Sequence, residues 1–154
     1  MICIDASLAA KWVFAEELQQ QAEALYQQTI AAGERIVAPP LLPIEVTNIV
    51  RQRMRRAKPP GEPLLSLVEA KQHLDRFLAF LVELQLPPGL HQRALELAHA
   101  HGLAAAYDAH YIALAQMLGC EFWTADRNLM RAVQEKLPFV KWIGDYADDN
   151  DDEN

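Results

Sequence analysis

Four acidic side chains stand where an α/β chain can do chemistry with them. Asp5 ends the short apolar run Ile2-Cys3-Ile4, and Ala6-Ser7 and a helical pattern follow it. Asp126 follows the run Phe122-Trp123-Thr124-Ala125 in much the same way. Apolar runs without polar alternation read as strands buried on both faces of a parallel sheet, and ligands gather beyond the carboxyl ends of such strands. The same residues also cap helices, so position alone leaves a helix cap and a ligand site both open for Asp5 and Asp126.

Asp108 weighs toward a site. It lies in Leu103-Ala104-Ala105-Ala106-Tyr107-Asp108-Ala109-His110-Tyr111-Ile112-Ala113-Leu114-Ala115, a helical stretch apolar nearly all round. An ionised carboxylate on such a face costs several kcal/mol unless a cation or donors compensate it, and a metal ion would do so. Glu45, between Ile44 and Val46 near a helix start, shares a face with Asn48, Gln52 and Arg56. A solvated polar stripe explains that face as well as a site does, and the helix dipole favours the charge either way. Acids at strand ends and helix starts of one sheet suit Mg²⁺ or Mn²⁺, which take oxygen ligands and keep several waters. One such ion, or a pair roughly 3.5–4 Å apart, can activate water and stabilise the leaving oxygen in a displacement at phosphorus.

The elements that must hold these acids alternate along the chain. The first strand leads to a helix from Leu8 to Gly33, then a strand at Arg35–Ala38 and a helix from about Leu42 to Arg56. Pro59-Pro60-Gly61 breaks the chain before a long helix from Glu62 to Val82. A third strand is expected at Leu84–Leu86, then helices at Leu90–His101 and Ala105–Leu118. The strand Cys120–Thr124, the helix Arg127–Glu135 and the strand Phe139–Trp142 finish the series. Such alternation predicts an α/β fold with a parallel sheet covered on both faces.

A chain of 154 residues that is 51% hydrophobic suits one domain. The expected division is a domain over 1–144 and an acidic, unstructured tail over 145–154. The tail's six acids, unaccompanied by Lys or Arg, account for most of the net charge of −7, leaving −1 for the body. Overall acidity therefore does not argue against an anionic substrate. There is no bilayer-length apolar stretch and no basic region ahead of the first apolar run. Cys3 and Cys120 form no C-x-x-C, and a reducing, cytoplasmic setting is expected. Signatures for dinucleotide or P-loop binding, for His-Glu-x-x-His zinc and for a G-x-S-x-G serine elbow are missing. A phosphoacceptor domain would want adjacent acids after the first strand, where Asp5 is alone. An aspartyl phosphatase would want a second Asp where Ser7 stands.

The segments Ile4-Asp5-Ala6-Ser7 with Lys11-Trp12, Pro43-Ile44-Glu45-Val46-Thr47-Asn48, Tyr107-Asp108-Ala109-His110-Tyr111-Ile112-Ala113-Leu114-Ala115 and Thr124-Ala125-Asp126 occur together, in order, across nearly the whole chain. In these the sequence resembles the PIN-domain family, and in particular its VapC-type endoribonuclease toxins from bacterial toxin–antitoxin pairs. The resemblance implies a three-layer α/β/α sandwich on a five-stranded parallel sheet. It implies Asp5, Glu45, Asp108 and Asp126 as catalytic, metal-holding acids, with Ser7, Asn48 and Thr124 in support. It further implies metal-dependent hydrolysis of RNA, a small antitoxin partner and a homodimer. A module that keeps the fold and binds RNA or regulates without cutting is the alternative, against which the presence of all four acids counts. Finally, Arg51, Arg53, Arg55, Arg56 and Lys58 form a dense basic run after Glu45. A solvated helix end explains it, as does a phosphate-contacting patch built on Arg51, Arg55, Arg56 and Lys58, or a surface facing an antitoxin or a second copy.

Overall fold

The computed structural model describes residues 1–146. Five strands, β1 (Ile2–Ile4), β2 (Ile36–Ala38), β3 (Glu83–Leu84), β4 (Glu121–Thr124) and β5 (Val140–Trp142), form one parallel sheet in the order β3-β2-β1-β4-β5. Around it lie α1 (Ala6–Ala9), α2 (Gln19–Ala31), α3 (Leu41–Arg53), α4 (Leu67–Leu78), α5 (Leu90–Ala100), α6 (Ala106–Leu118) and α7 (Arg127–Val133). The architecture is a three-layer α/β/α sandwich, as expected. No described helix is long and apolar enough to cross a membrane.

The strand order explains where a site can form. The chain winds outward from β1 through β2 to β3, then returns to the other side of β1 for β4 and β5. Winding reverses at β1, and the connections leaving β1 and its two neighbours part there, opening a crevice at their carboxyl ends. β1 is the central strand, with Cys3 and Ile4 fully buried and paired to Val37, Phe122 and Trp123.

Three expectations need correction. The helix expected from Leu8 to Gly33 is broken: α1 runs into a 3₁₀ turn, Ala10–Trp12, and α2 begins only after Leu18 takes a left-handed conformation at φ 68°. Trp12, Val13 and Phe14 are all buried where the chain turns. The indole of Trp12 donates to the Ala22 carbonyl at 3.0 Å, fastening the turn to α2. Second, the long helix expected over Glu62–Val82 is confined to α4. Ser66 and Glu69 form a capping box at its start, and Pro63 precedes it outside the helix. Third, the outer strand is shorter and earlier than expected, Glu83–Leu84, although the Gln85 amide still donates to the Ala38 carbonyl at 2.9 Å. The remaining elements agree to within a few residues. Asp145 closes a 3₁₀ turn, Ile143–Asp145, and Tyr146 meets the Trp123 ring edge-on at 5.4 Å. The tail expected over 145–154 falls, from 147 on, outside the described residues.

Candidate active site

Asp5 leaves β1 and caps α1: its Oδ1 accepts from the Leu8 amide at 2.9 Å and the Ser7 hydroxyl at 2.7 Å. The Thr124 hydroxyl, at the end of β4, donates to its Oδ2. The cap that the sequence left open is thus present, and it does not remove this carboxylate from the cavity, which Asp5 also lines. The two hydroxyls also accept from the next loop, Ser7 from the Ala125 amide and Thr124 from the Asp126 amide, each at 3.0 Å. These bonds stitch the β1 and β4 exits together and bring Asp126 to the same rim. Asp126 caps α7 with Oδ1 alone, accepting from the Asn128 and Leu129 amides at 2.8 and 3.1 Å. Oδ2 of Asp126 and one lone pair of Asp5 Oδ2 remain available to a ligand.

Glu45 and Asp108 come from helices. Glu45, on the second turn of α3, accepts a hydrogen bond from the phenol of Tyr111, which is fully buried on α6 and stacks on Phe122 at 6.1 Å. Asp108 lies one turn before Tyr111, in the first turn of α6, where the helix dipole favours a negative charge. The sequence expected Asp108 to be the acid in apolar surroundings. It is only half-buried, and the enclosed carboxylate is Asp5, 4% exposed.

All four acids line one cavity of about 510 Å³, together with Ser7, Asn48 and Tyr111. Tyr107 and Ile44 are exposed at its edge. No Lys, Arg or His is among the lining residues, and the electrostatics follow from that. Burial pushes the Asp5 carboxyl up to about 7, against the pull of Thr124, Ser7 and the Leu8 amide, and the charge of Asp108 adds to the rise. Glu45 is raised by burial, resisted by the Tyr111 hydrogen bond, raised further by Asp108 and lowered slightly by nearby His110. Asp108 is raised by burial and by Asp126. Burial and Glu45 push the Tyr111 phenol far above its usual range, so it remains a donor.

Among the described residues no three His, Cys, Asp or Glu side chains converge into a ready-made metal cage. The acids instead surround a shared volume. Their donor set still fits a hard divalent cation: every candidate ligand is an oxygen, the cavity lining offers no competing positive charge, and Mg²⁺ retains waters that span such gaps.

Of the supporting residues, Ser7 and Thr124 are placed on Asp5, whereas Asn48 is exposed on the cavity wall. Arg51, Arg55, Arg56 and Lys58 are absent from this lining. The last three belong to a separate cleft at the end of α3. Sequence reasoning missed Tyr111 as the partner of Glu45. Its signal was a phenol inside an apolar helix, since a buried tyrosine hydroxyl needs a partner. His110 lies outside the lining too: its Nδ1 donates to the Ala106 carbonyl at 2.6 Å, and its Nε2 is 3.0 Å from Nδ1 of His91.

A family model described as PIN domain matches residues 2–136, and the chain belongs to that family. Among curated relatives, a protein named VapC ribonuclease from Mycobacterium bovis is 28% identical over 140 residues, covering 91% of this chain and 97% of the relative. Ribonuclease VapC3 of Pyrobaculum aerophilum is 30% identical over 139 residues, covering 89% and 95%. The crystal structure of PAE2754 from Pyrobaculum aerophilum matches with a TM-score of 0.61 at 23% identity, over 93% of this chain and 83% of that one, a likeness of fold.

Proposed function

We propose that this chain is a metal-dependent endoribonuclease that hydrolyses RNA phosphodiester bonds, serving as the toxin of a toxin–antitoxin pair. The observation that carries this reading is a single cavity at the point where the sheet's winding reverses, lined by Asp5, Glu45, Asp108 and Asp126 and by no cation. Relatives named ribonucleases along nearly the whole chain supply the substrate class.

The four acids would hold one or two Mg²⁺ or Mn²⁺ ions. When bound, the metal lowers the pKa of its water and screens the scissile phosphate from the carboxylates. The chain's own part is to fix the ligands. Ser7, Thr124 and the Leu8 amide hold Asp5 in one rotamer, Tyr111 holds Glu45, and the α7 amides hold one oxygen of Asp126. No histidine lines the cavity to act as a base. Attack by water at phosphorus leaves a 5′-phosphate and a 3′-hydroxyl. A small antitoxin and a second copy of the chain are the partners in this reading; a monomeric mass by light scattering of the folded protein at micromolar concentration would remove the second copy.

The deciding experiment incubates the protein with single-stranded RNA with and without EDTA and maps the ends. Cleavage lost in EDTA, restored by Mg²⁺ or Mn²⁺ and leaving 5′-phosphates is the expected result. Cleavage that persists in EDTA and leaves 2′,3′-cyclic ends would overturn the mechanism, because that product needs attack by the substrate's own hydroxyl. Metal and RNA binding without any cleavage would favour the non-cutting module.

A further inference from the structure

We infer that the basic cleft at the end of α3 is a phosphate-binding subsite, holding the backbone of the substrate strand a few nucleotides from the bond that is cut. The inference rests on the ribonuclease reading for the identity of the strand. The cleft itself, about 510 Å³, is lined by Gln52, Arg53, Arg55, Arg56 and Lys58, with Ala57 and Pro60, and by no acid.

Its cations divide into two kinds. Arg53 is committed to the fold: it donates to Glu16 at 2.7 Å and to the Lys58 carbonyl at 2.8 Å, and its guanidinium sits 4.4 Å over the Phe14 ring. Those bonds pin the turn after α3 and give the cleft a fixed wall. Arg55 and Arg56 are exposed, and their guanidinium groups have no hydrogen-bond or ion-pair partner among the described residues. Lys58 lies 3.8 Å from Glu16, a carboxylate already held more closely by Lys11 and Arg53. An ordinary solvated helix end would splay its cations into water. Here two guanidinium groups and an ammonium share the concave surface that Arg53 braces, which suits a phosphodiester group.

The cleft is also in line with the acidic cavity. Glu45, Asn48, Gln52 and Arg55 or Arg56 follow at steps of three or four, one above the other on a single helix face. Glu45 and Asn48 line the acidic cavity, and Gln52 and both arginines line the basic one. The helical turn continues past Arg53, since the Arg56 amide still donates to the Gln52 carbonyl at 2.9 Å. At 1.5 Å per residue the two clusters are about 15 Å apart, and a stacked strand rising ~3.4 Å per nucleotide bridges that in about four to five steps. A phosphate brought among four carboxylates is repelled by them. An anchor for the same strand at this distance supplies binding that the reacting centre cannot.

The test measures binding of a fluorescently labelled oligouridylate of about twelve nucleotides by anisotropy, in EDTA, across a salt series. The proteins are the wild type and an Arg55→Gln/Arg56→Gln double variant whose fold is verified by circular dichroism. The expected result is affinity weakened on the order of tenfold and a log–log salt slope shallower by about 1.4, at ~0.7 per phosphate contact on single strands. Unchanged affinity and slope would overturn the subsite. So would loss of binding to an oligoglutamate peptide while RNA binding is retained, which would assign the cleft to an acidic protein partner. The readout needs no cleavage, so a chain that proved unable to cut RNA would fail the functional reading and still report on the cleft.

Discussion

Helix α3 sends a charge into each of two opposite surroundings. Near its start Glu45 joins the acidic cavity; at its end Arg53 enters a knot with Lys11, Glu16 and Lys58. Glu16 is nearly as enclosed as the cavity acids, its side chain 10% exposed. Burial alone would raise its carboxyl, yet Lys11 at 3.1 Å and Arg53 at 2.7 Å outweigh that and hold it below the usual value. In the cavity Asp5, Glu45 and Asp108 are raised, by burial first and then by a neighbouring carboxylate. Depth is similar in the two places; the counter-charge differs. Folding has balanced the charge at the knot with ion pairs, whereas at the rim hydrogen bonds to hydroxyls and amides do most of that work, and such perturbed acids in a cleft are what makes the rim a candidate site.

The sharpest way to break this contrast is to neutralise one acid at a time. Asp5→Asn and Asp108→Asn should each reduce RNA cleavage on the order of 10²–10³-fold, the loss typical of deleting one charge-stabilising group from a preorganised site. Thermal unfolding should show both variants folded. Retained cleavage in either would detach that acid from the chemistry.

A smaller effect concerns stability without metal. The folded-state pKa of Asp5 is raised from 3.8 to about 7, so the protonated carboxyl is the form that folding favours. The associated stability is fully present below about pH 4 and is lost as pH rises through about 7, a change of at most a few kcal/mol. Urea unfolding in EDTA should therefore show the wild type weakening over that range and Asp5→Asn weakening less. Parallel pH profiles for the two proteins would show that Asp5 is not the titrating group.

The smallest effect lies in the knot, and its pH dependence has the opposite sign. Glu16→Gln leaves Lys11 and Arg53 facing a neutral amide and should cost about 1–2 kcal/mol, a value reduced from that of a fully buried pair because part of the cluster meets solvent. Because the Glu16 carboxyl is lowered, the stability it contributes is present above the ordinary glutamate pKa and fades as pH falls through the lowered one. Chemical denaturation at neutral and acidic pH measures both. A variant as stable as the wild type at neutral pH would show that the knot contributes nothing net.

The sheet and the candidate acids could be read from residue order because buried parallel strands are continuous apolar runs, and the residues leaving their carboxyl ends gather at one rim. Asp5 and Asp126 were placed by that rule alone. Which acid is most enclosed could not be read that way. Asp108 has the more apolar neighbours in sequence, but it sits at the open mouth of α6, while Asp5 is covered by residues 119 positions away and by the packing of three strands. Tyr111 looked like core, and its second role depends on a glutamate 66 positions earlier. Arg53 looked like one cation among five; only its reach to Glu16 and Phe14 separates it from Arg55 and Arg56. The break after Trp12 was concealed because three apolar residues in a row fit a buried helix as readily as a turn into the core.

The hydroxyl stitching between the β1 and β4 exits has a consequence for when the protein becomes active during its own synthesis. Synthesis reaches Thr124 119 residues after Asp5, and the loop that carries Asp126 follows it. Until β4 has docked beside β1, Asp5 lacks its second hydroxyl and β1 lacks one of its two neighbours. A chain that stops before β4 therefore holds only part of the constellation, and the site is complete only once β4 has docked beside β1. For an enzyme that would cut RNA, this ordering keeps an unfinished copy harmless to the message and ribosome producing it.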